Sequence, residues 1–121
     1  MPLHISLPIF VDLRGKLSVL EDLCPFPIKR AYWIYEAEGV RGGHRHRKNR
    51  QIMFALSGSV KIYVHDGKKA INYLLDSPEK GLLLEPEDWH RMEHFSKDCV
   101  LLVFASHPYD VNDYIDEPYP C

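Results

Sequence analysis

Short apolar or alternating runs recur along the chain at Ile5 to Val11, Lys16 to Leu20, Ile28 to Tyr35 and Gln51 to Leu56. They continue at Val60 to His65, Ala70 to Leu75, Gly81 to Glu85 and Val100 to Ala105. All are of strand length, and turn chemistry separates them in "DLRG", "CPFP", "RKNR", "SGS", "HDGKK", "DSPEKG" and "EPED". "VHDGKK" predicts a hairpin with Asp66-Gly67 in a type I′ turn, since both residue types tolerate positive φ. No connection between runs is long enough for a crossover helix, so the strands pair antiparallel. The pattern therefore predicts one all-β domain over residues 1–121, a sandwich or small barrel. Only the tail "SHPYDVNDYI" has room for a short helical turn.

The stretch "GVRGGHRHRKNRQ", residues 39–51, raises the question of chemistry. On a strand, His44 and His46 face the same side, roughly 7 Å apart at their Cα atoms, while Arg45 and Arg47 face the other. Gly42 and Gly43 just upstream allow a bend and a close backbone approach. In "RAYWIYEAEG", Tyr32, Ile34 and Glu36 alternate against Ala31, Trp33 and Tyr35. Most of these aromatics fit core packing, and one that reaches a barrel mouth can hydrogen-bond a sugar or stack on a base.

Composition narrows the function classes. A chain of 121 residues can bury a core without disulfides. The net charge of −2 argues against a general nucleic-acid binder, so any anion recognition is local. Cys24, Cys99 and Cys121 are odd in number and lack a CxxC pair, which reads as reduced thiols rather than a disulfide frame or zinc site. With neither a signal-like h-region nor a membrane-length apolar run, the expected location is cytoplasmic, with no membrane partner.

Arg14 sits in the "DLRG" bend, Arg30 opens the aromatic strand and Arg41 precedes the glycines. Guanidinium groups bind phosphate oxygens in bidentate fashion. Convergence of these arginines on the histidines would indicate a phosphorylated or nucleotide-bearing ligand. Singly, each is better read as surface pairing with one of the 17 acidic residues.

The spacing of Gly39, His44, His46, Gln51 and Gly58 resembles the first motif of the cupin superfamily, with glutamine in place of glutamate. Gly81, Pro86 and "EDWHRM" resemble the second motif, but Asp88 stands where glycine is expected and Arg91 where the last histidine is expected. Parity would turn His90 away from the other imidazoles if its strand were regular. A neutral amide and a permanently charged guanidinium suit a divalent ion poorly, so no metal is expected. Uncoordinated imidazoles are then free for acid–base work near neutral pH.

The segments "DLRGKLSVLE", "FPIKRAYWIY", "GVRGGHRHRKNRQ", "LSGSVKIYVHDGK", "DSPEKGLLLEPEDWHRMEHFS" and "LLVFASHPYDVNDYI" together resemble the WxcM-like cupins. The resemblance runs in order from about residue 5 to 116. It implies an RmlC-like jelly roll and a metal-free, cofactor-free dTDP-4-oxo-6-deoxyglucose 3,4-ketoisomerase of deoxysugar biosynthesis. It further implies a homodimer holding a dTDP-linked sugar in each barrel. His44 and His46 match the acid–base pair, and Arg14, Tyr35 and Arg41 fall at active-site positions. Arg30 and Gln51 join them as substrate-binding candidates. Arg45 departs from the alanine common in the family, at a position expected to face outward.

On this reading His46 removes the proton from C3, an enediolate forms, and a proton returns at C4. His44 shuttles protons, while Tyr35 or an arginine steadies charge on oxygen. Which imidazole is base and which acid stays open, as do the C4 configuration and the nucleotide base. The rivals are a dTDP-4-oxo-sugar 3,5-epimerase, a non-catalytic sugar-binding cupin and a metal-dependent cupin.

Overall fold

The computed structural model describes residues 2–120, so the thiol expected at Cys121 lies outside the described residues. The chain runs β1 (Leu3–Ser6), β2 (Ile9–Asp12), β3 (Gly15–Ser18), β4 (Arg30–Tyr35), β5 (Arg41–His46) and β6 (Gln51–Ser57). It continues with β7 (Val60–His65), β8 (Ala70–Leu75), β9 (Lys80–Leu84), β10 (Trp89–Glu93) and β11 (Val100–Ala105). A 3₁₀ turn at Val111–Asp113 leads into β12 (Tyr114–Ile115).

Two antiparallel sheets face each other, in strand orders β1-β9-β6-β11-β4 and β12-β5-β10-β7-β8; β2 and β3 form a separate hairpin. This is the antiparallel sandwich that the run lengths predict, in the jelly-roll form that the family resemblance implies. The inner faces interdigitate Ile34, Met53, Leu82, Leu84, Leu101 and Val103 with Ile62, Val64, Leu75 and Met92. Each such side chain, fully buried, stabilises the fold by about 1.5–3 kcal/mol. β7 and β11 alternate buried and half-buried positions, as expected for strands with one core face. β6 and β9 are buried on both faces, because Leu20, Cys24 and Phe26 pack against Ile52, Phe54 and Leu83 from outside. Hence "QIMFAL" and "GLLL" read as unbroken apolar runs.

The structure refines two expectations. The run Ile5 to Val11 is two strands: β1 pairs with β9 and β2 with β3, and Pro8, which has no N–H to donate, sits at the break. The "VHDGKK" hairpin joins β7 and β8 as expected, but its turn is not type I′. Asp66 keeps negative φ while Gly67 has φ 95°, and Asp66 Oδ1 accepts from the N–H groups of Lys68 and Lys69 at 2.9 and 3.0 Å. The aspartate thus shapes the turn through its side chain as well as its backbone, whose N–H donates to the Lys69 carbonyl at 3.2 Å. The tail does hold a helical turn, capped where the Asp110 carboxylate accepts from Asn112 N–H. Among the described residues no helix is long and apolar enough to cross a membrane.

Candidate active site

Gly42 and Gly43 both lie in the left-handed region, at φ 84° and 86°. Across the ladder, His90 pairs with His44 and Arg91 with Gly42, which leaves Gly43 as an extra residue. This is a β-bulge. It changes which side chains face inward. Met92, a core residue, stands opposite Arg41. Direct cross-strand partners share a face, so Arg41 lies on the barrel side with His44 and His46 despite its odd separation from them.

The same register corrects the parity argument for His90. Being opposite His44, it points inward with it, and it is only 1% exposed. Arg91 instead turns outward, its guanidinium 4.1 Å from the centre of the Tyr63 ring.

Three imidazoles therefore meet inside the barrel. Ring centres are 5.0 Å apart for His44 and His46, 5.1 Å for His44 and His90, and 6.2 Å for His46 and His90. β12 pairs with β5 so that Tyr114 stands opposite His46. Its ring lies 4.5 Å from His44 and 4.7 Å from His46. Asp113, one residue earlier, places Oδ2 3.0 Å from His46 Nδ1. That carboxylate also accepts from the N–H groups of Lys48 and Asn49. An ionised carboxylate there makes Nδ1 the protonated nitrogen. Nε2 of His46 is buried and has no hydrogen-bond partner among the described residues, which leaves a lone pair facing the barrel.

The electrostatics follow from this packing. Burial raises the Asp113 carboxyl, but donation from Lys48, Asn49 and His46 outweighs it and holds the group below its usual range. Burial lowers His46, with Arg30 acting the same way and Asp113 opposing. His44 is lowered to about 4 by burial and by His46. His90 is lowered to about 3, first by burial and then by His44. All three rings are neutral at pH 7, as a proton acceptor requires.

Of the residues singled out from sequence, His44, His46, Arg41, Arg30 and Gln51 come together. Arg30 packs its guanidinium 4.4 Å over the Tyr32 ring, and Tyr32 accepts at its hydroxyl from Gln51 Nε2 at 3.0 Å. Gln51 is 1% exposed, and its Oε1 has no partner among the described residues. Two residues stand apart. Tyr35 is 60% exposed on the outer face of β4, beside Trp33, because the strand's inward set is Arg30, Tyr32 and Ile34. Arg14 lies in the β2–β3 turn, paired with Asp12 at 2.6 Å, its side chain 90% exposed.

The residues differ from a cupin metal centre: Gln51 offers only a neutral Oε1 where a carboxylate is expected, and Arg91, at the fourth ligand position, faces out. Among the described residues no three His, Cys, Asp or Glu side chains form a group able to hold an ion.

The FdtA pattern (WxcM-like, C-terminal) matches residues 3–119. The chain belongs to this family. It is 42% identical over 115 residues to the TDP-4-oxo-6-deoxy-alpha-D-glucose-3,4-oxoisomerase of Aneurinibacillus thermoaerophilus, covering 92% of this chain and 83% of that one. A mutant of the 3,4-ketoisomerase QdtA from Thermoanaerobacterium thermosaccharolyticum, solved with TDP-4-keto-6-deoxyglucose, is 36% identical. The two superpose with a TM-score of 0.92, covering 96% of this chain and 87% of that one. An epimerase from Mycobacterium tuberculosis shares the fold alone, at 18% identity and a TM-score of 0.80 over 93% of this chain and 66% of that one.

Sequence reasoning missed His90, Tyr32, Asp113 and Tyr114. Tyr32 was legible from its alternation with Ile34. Asp113 and Tyr114 sit in "YDVNDYI", conspicuous as a motif, but nothing local ties that tail to β5.

Proposed function

We propose that this chain is a 3,4-ketoisomerase of a thymidine diphosphate 4-oxo-6-deoxyglucose, working by histidine acid–base catalysis. The observation that carries the reading is His46, whose Nδ1 is hydrogen-bonded to Asp113 while Nε2 has no partner among the described residues. Such a ring accepts a proton at Nε2 and is steadied as an imidazolium by the carboxylate behind it.

The 4-oxo group acidifies the hydrogen on C3. Nε2 of His46 takes that proton, and the C4 oxygen gains one, giving an enediol. The C3 hydroxyl then loses its proton and C4 gains one, so the carbonyl moves to C3 with no net proton change. His44, at 5.0 Å between ring centres, is near enough to relay protons between the two oxygens. Arg30 and Arg41 supply positive charge for the diphosphate, and the Tyr32–Gln51 pair offers polar atoms to the sugar. The role expected of Tyr35 passes to Tyr114, which packs on the imidazoles, and to Tyr32, which lies on the inner face of β4 beside Arg30 and Gln51. The reaction belongs in the cytoplasm, the compartment of nucleotide sugars.

The protein acts as a homodimer. The outer face of the first sheet and the β2–β3 hairpin carry Phe10, Val11, Leu13, Leu17, Trp33, Tyr35 and Leu56 exposed. A groove of about 600 Å³ beside them is lined by Ile9, Leu20, Phe54, Leu56 and Phe104. Apolar surface on this scale marks an interface, and a second copy is its natural occupant. The hairpin would bring Arg14 to the partner's barrel mouth.

Incubation with TDP-4-oxo-6-deoxyglucose followed by NMR of the product tests the reading. Migration of the carbonyl from C4 to C3 is expected. Inversion at C3 or C5 with the carbonyl still at C4 would make the protein an epimerase, and binding without conversion would make it a sugar-binding protein.

A further inference from the structure

His46 has Asp113; His44 has no hydrogen-bonded carboxylate among the described residues. The ladder between β12 and β5 points to one nonetheless. Tyr114 pairs with His46 and Ile115 with Arg45, so the antiparallel register carried one residue further sets Asp116 opposite His44. Residues 114 and 116 share a face, and Tyr114 packs on the imidazoles, so the Asp116 carboxylate falls on the histidine side. The backbone is pinned there, because Trp89 Nε1–H donates to the Asp116 carbonyl at 3.1 Å. Beyond it, Tyr119 O–H donates to the Glu87 carbonyl at 2.9 Å, and Arg45 covers the Tyr119 ring at 4.8 Å. The segment after β12 is thus strapped across the outside of β5 and β10.

We propose that Asp116 is a positioning residue that acts through His44, holding a carboxylate beside that ring so that it can carry a proton during turnover. The two imidazoles then each have an acidic partner on the same short segment: Asp113 by hydrogen bond, Asp116 through space.

The surroundings of His44 make this contribution matter. His46 on its own strand and His90 on β10 disfavour a positive charge on it, while Tyr114 on β12 stacks on it without charge. Arg41, facing the same barrel side, and Arg30, across the barrel, add further positive charge. Asp113 is already engaged by His46, Lys48 and Asn49. Against these, Asp116 is the acidic group that raises the proton affinity of His44. The division of labour is then defined: His46 begins as the base, and His44 is the ring that takes up and passes on the second proton.

The kinetic half of this inference rests on the ketoisomerase reading; the titration half does not. The test follows the histidine Cε1–H resonances of the full chain from pH 8 down to about 2.5 by NMR, in the natural protein, Asp116→Asn and Asp116→Glu. In Asp116→Asn the His44 titration is expected to move to lower pH by about half a unit or more, with His46 moving less. Asp116→Glu should restore most of the shift. The acid limb of kcat/KM should move in the same direction, with the unfolding midpoint at pH 7.5 retained. An unchanged His44 titration in a folded Asp116→Asn protein overturns the proposal, as does loss of turnover that glutamate fails to restore. Absence of ketoisomerase activity in the natural protein would count against the assigned reaction and leave the His44 titration to decide the role of Asp116.

Discussion

Asp113 Oδ2 lies 3.0 Å from Nδ1 of His46, a contact between residues 67 apart in the chain. The pair exists because β12 adds itself to the edge of β5 and brings the tail back over the histidines. It decides the tautomer of His46 and so which nitrogen meets the substrate.

Replacement of His46 by asparagine should lower turnover at least about a hundredfold while TDP still binds. Steady-state kinetics with calorimetric titration of TDP would check this. Retained turnover would remove His46 from the role of base.

Asp113→Asn leaves an acceptor for Lys48 or Asn49 but no longer favours the Nδ1–H tautomer or an imidazolium. A fall in kcat of at least about tenfold is expected, with a smaller change in KM. An unchanged unfolding midpoint separates this from a general loss of folded protein, which would also lower the apparent kcat.

Charge on the diphosphate should be read by Arg41. Arg41→Ala is expected to raise KM about tenfold or more, and the remaining binding should depend less steeply on salt. Unaltered KM across salt concentrations would move Arg41 out of the site.

The buried imidazoles also make stability depend on pH. Folded, His44 titrates at about 4 and His90 at about 3, against 6.5 for a free ring. Above pH 6.5 neither folded nor unfolded chain holds these protons, and this part of the stability is intact. Below it the unfolded chain takes them up first, so stability falls with falling pH and levels off only below the folded values. Between pH 7 and 4, His90 alone should cost about 3 kcal/mol. Urea unfolding at a series of pH values would show the decline, and a flat curve would mean that the rings are open to water.

Gly42→Ala should destabilise by about 1–3 kcal/mol, because a side chain there adopts left-handed φ and crowds its neighbours. Its Cβ would lie 3.1 Å from Met92 Cε and 3.2 Å from the His90 carbonyl oxygen. Thermal unfolding of the variant is the direct measurement.

The strands were legible in sequence wherever one face is apolar, as in β7 and β11, or both are, as in β6 and β9. β10 was not, because "WHRME" carries its site residue and its core residue among polar neighbours. His44 and His46 announced themselves by spacing alone, and Arg30 needed only the parity of β4. His90 was misjudged and Arg41 could not be placed, since both depend on a pairing register that a single strand does not contain. Asp113 depends on a contact across more than half of the chain's sequence, and short-range pattern carries no trace of it.

The residue Gly43 adds to β5 works as a frameshift written in structure rather than in codons. Were Gly43 paired rather than bulged, Gly42 would stand opposite Met92, Arg41 would swing to the exterior with Arg45, and the barrel would lose a cation it presents beside its imidazoles. Deletion of Gly43 itself would keep Arg41 opposite Met92 and facing the barrel, so the grip on an anionic substrate depends on the bulge only while the extra residue is present.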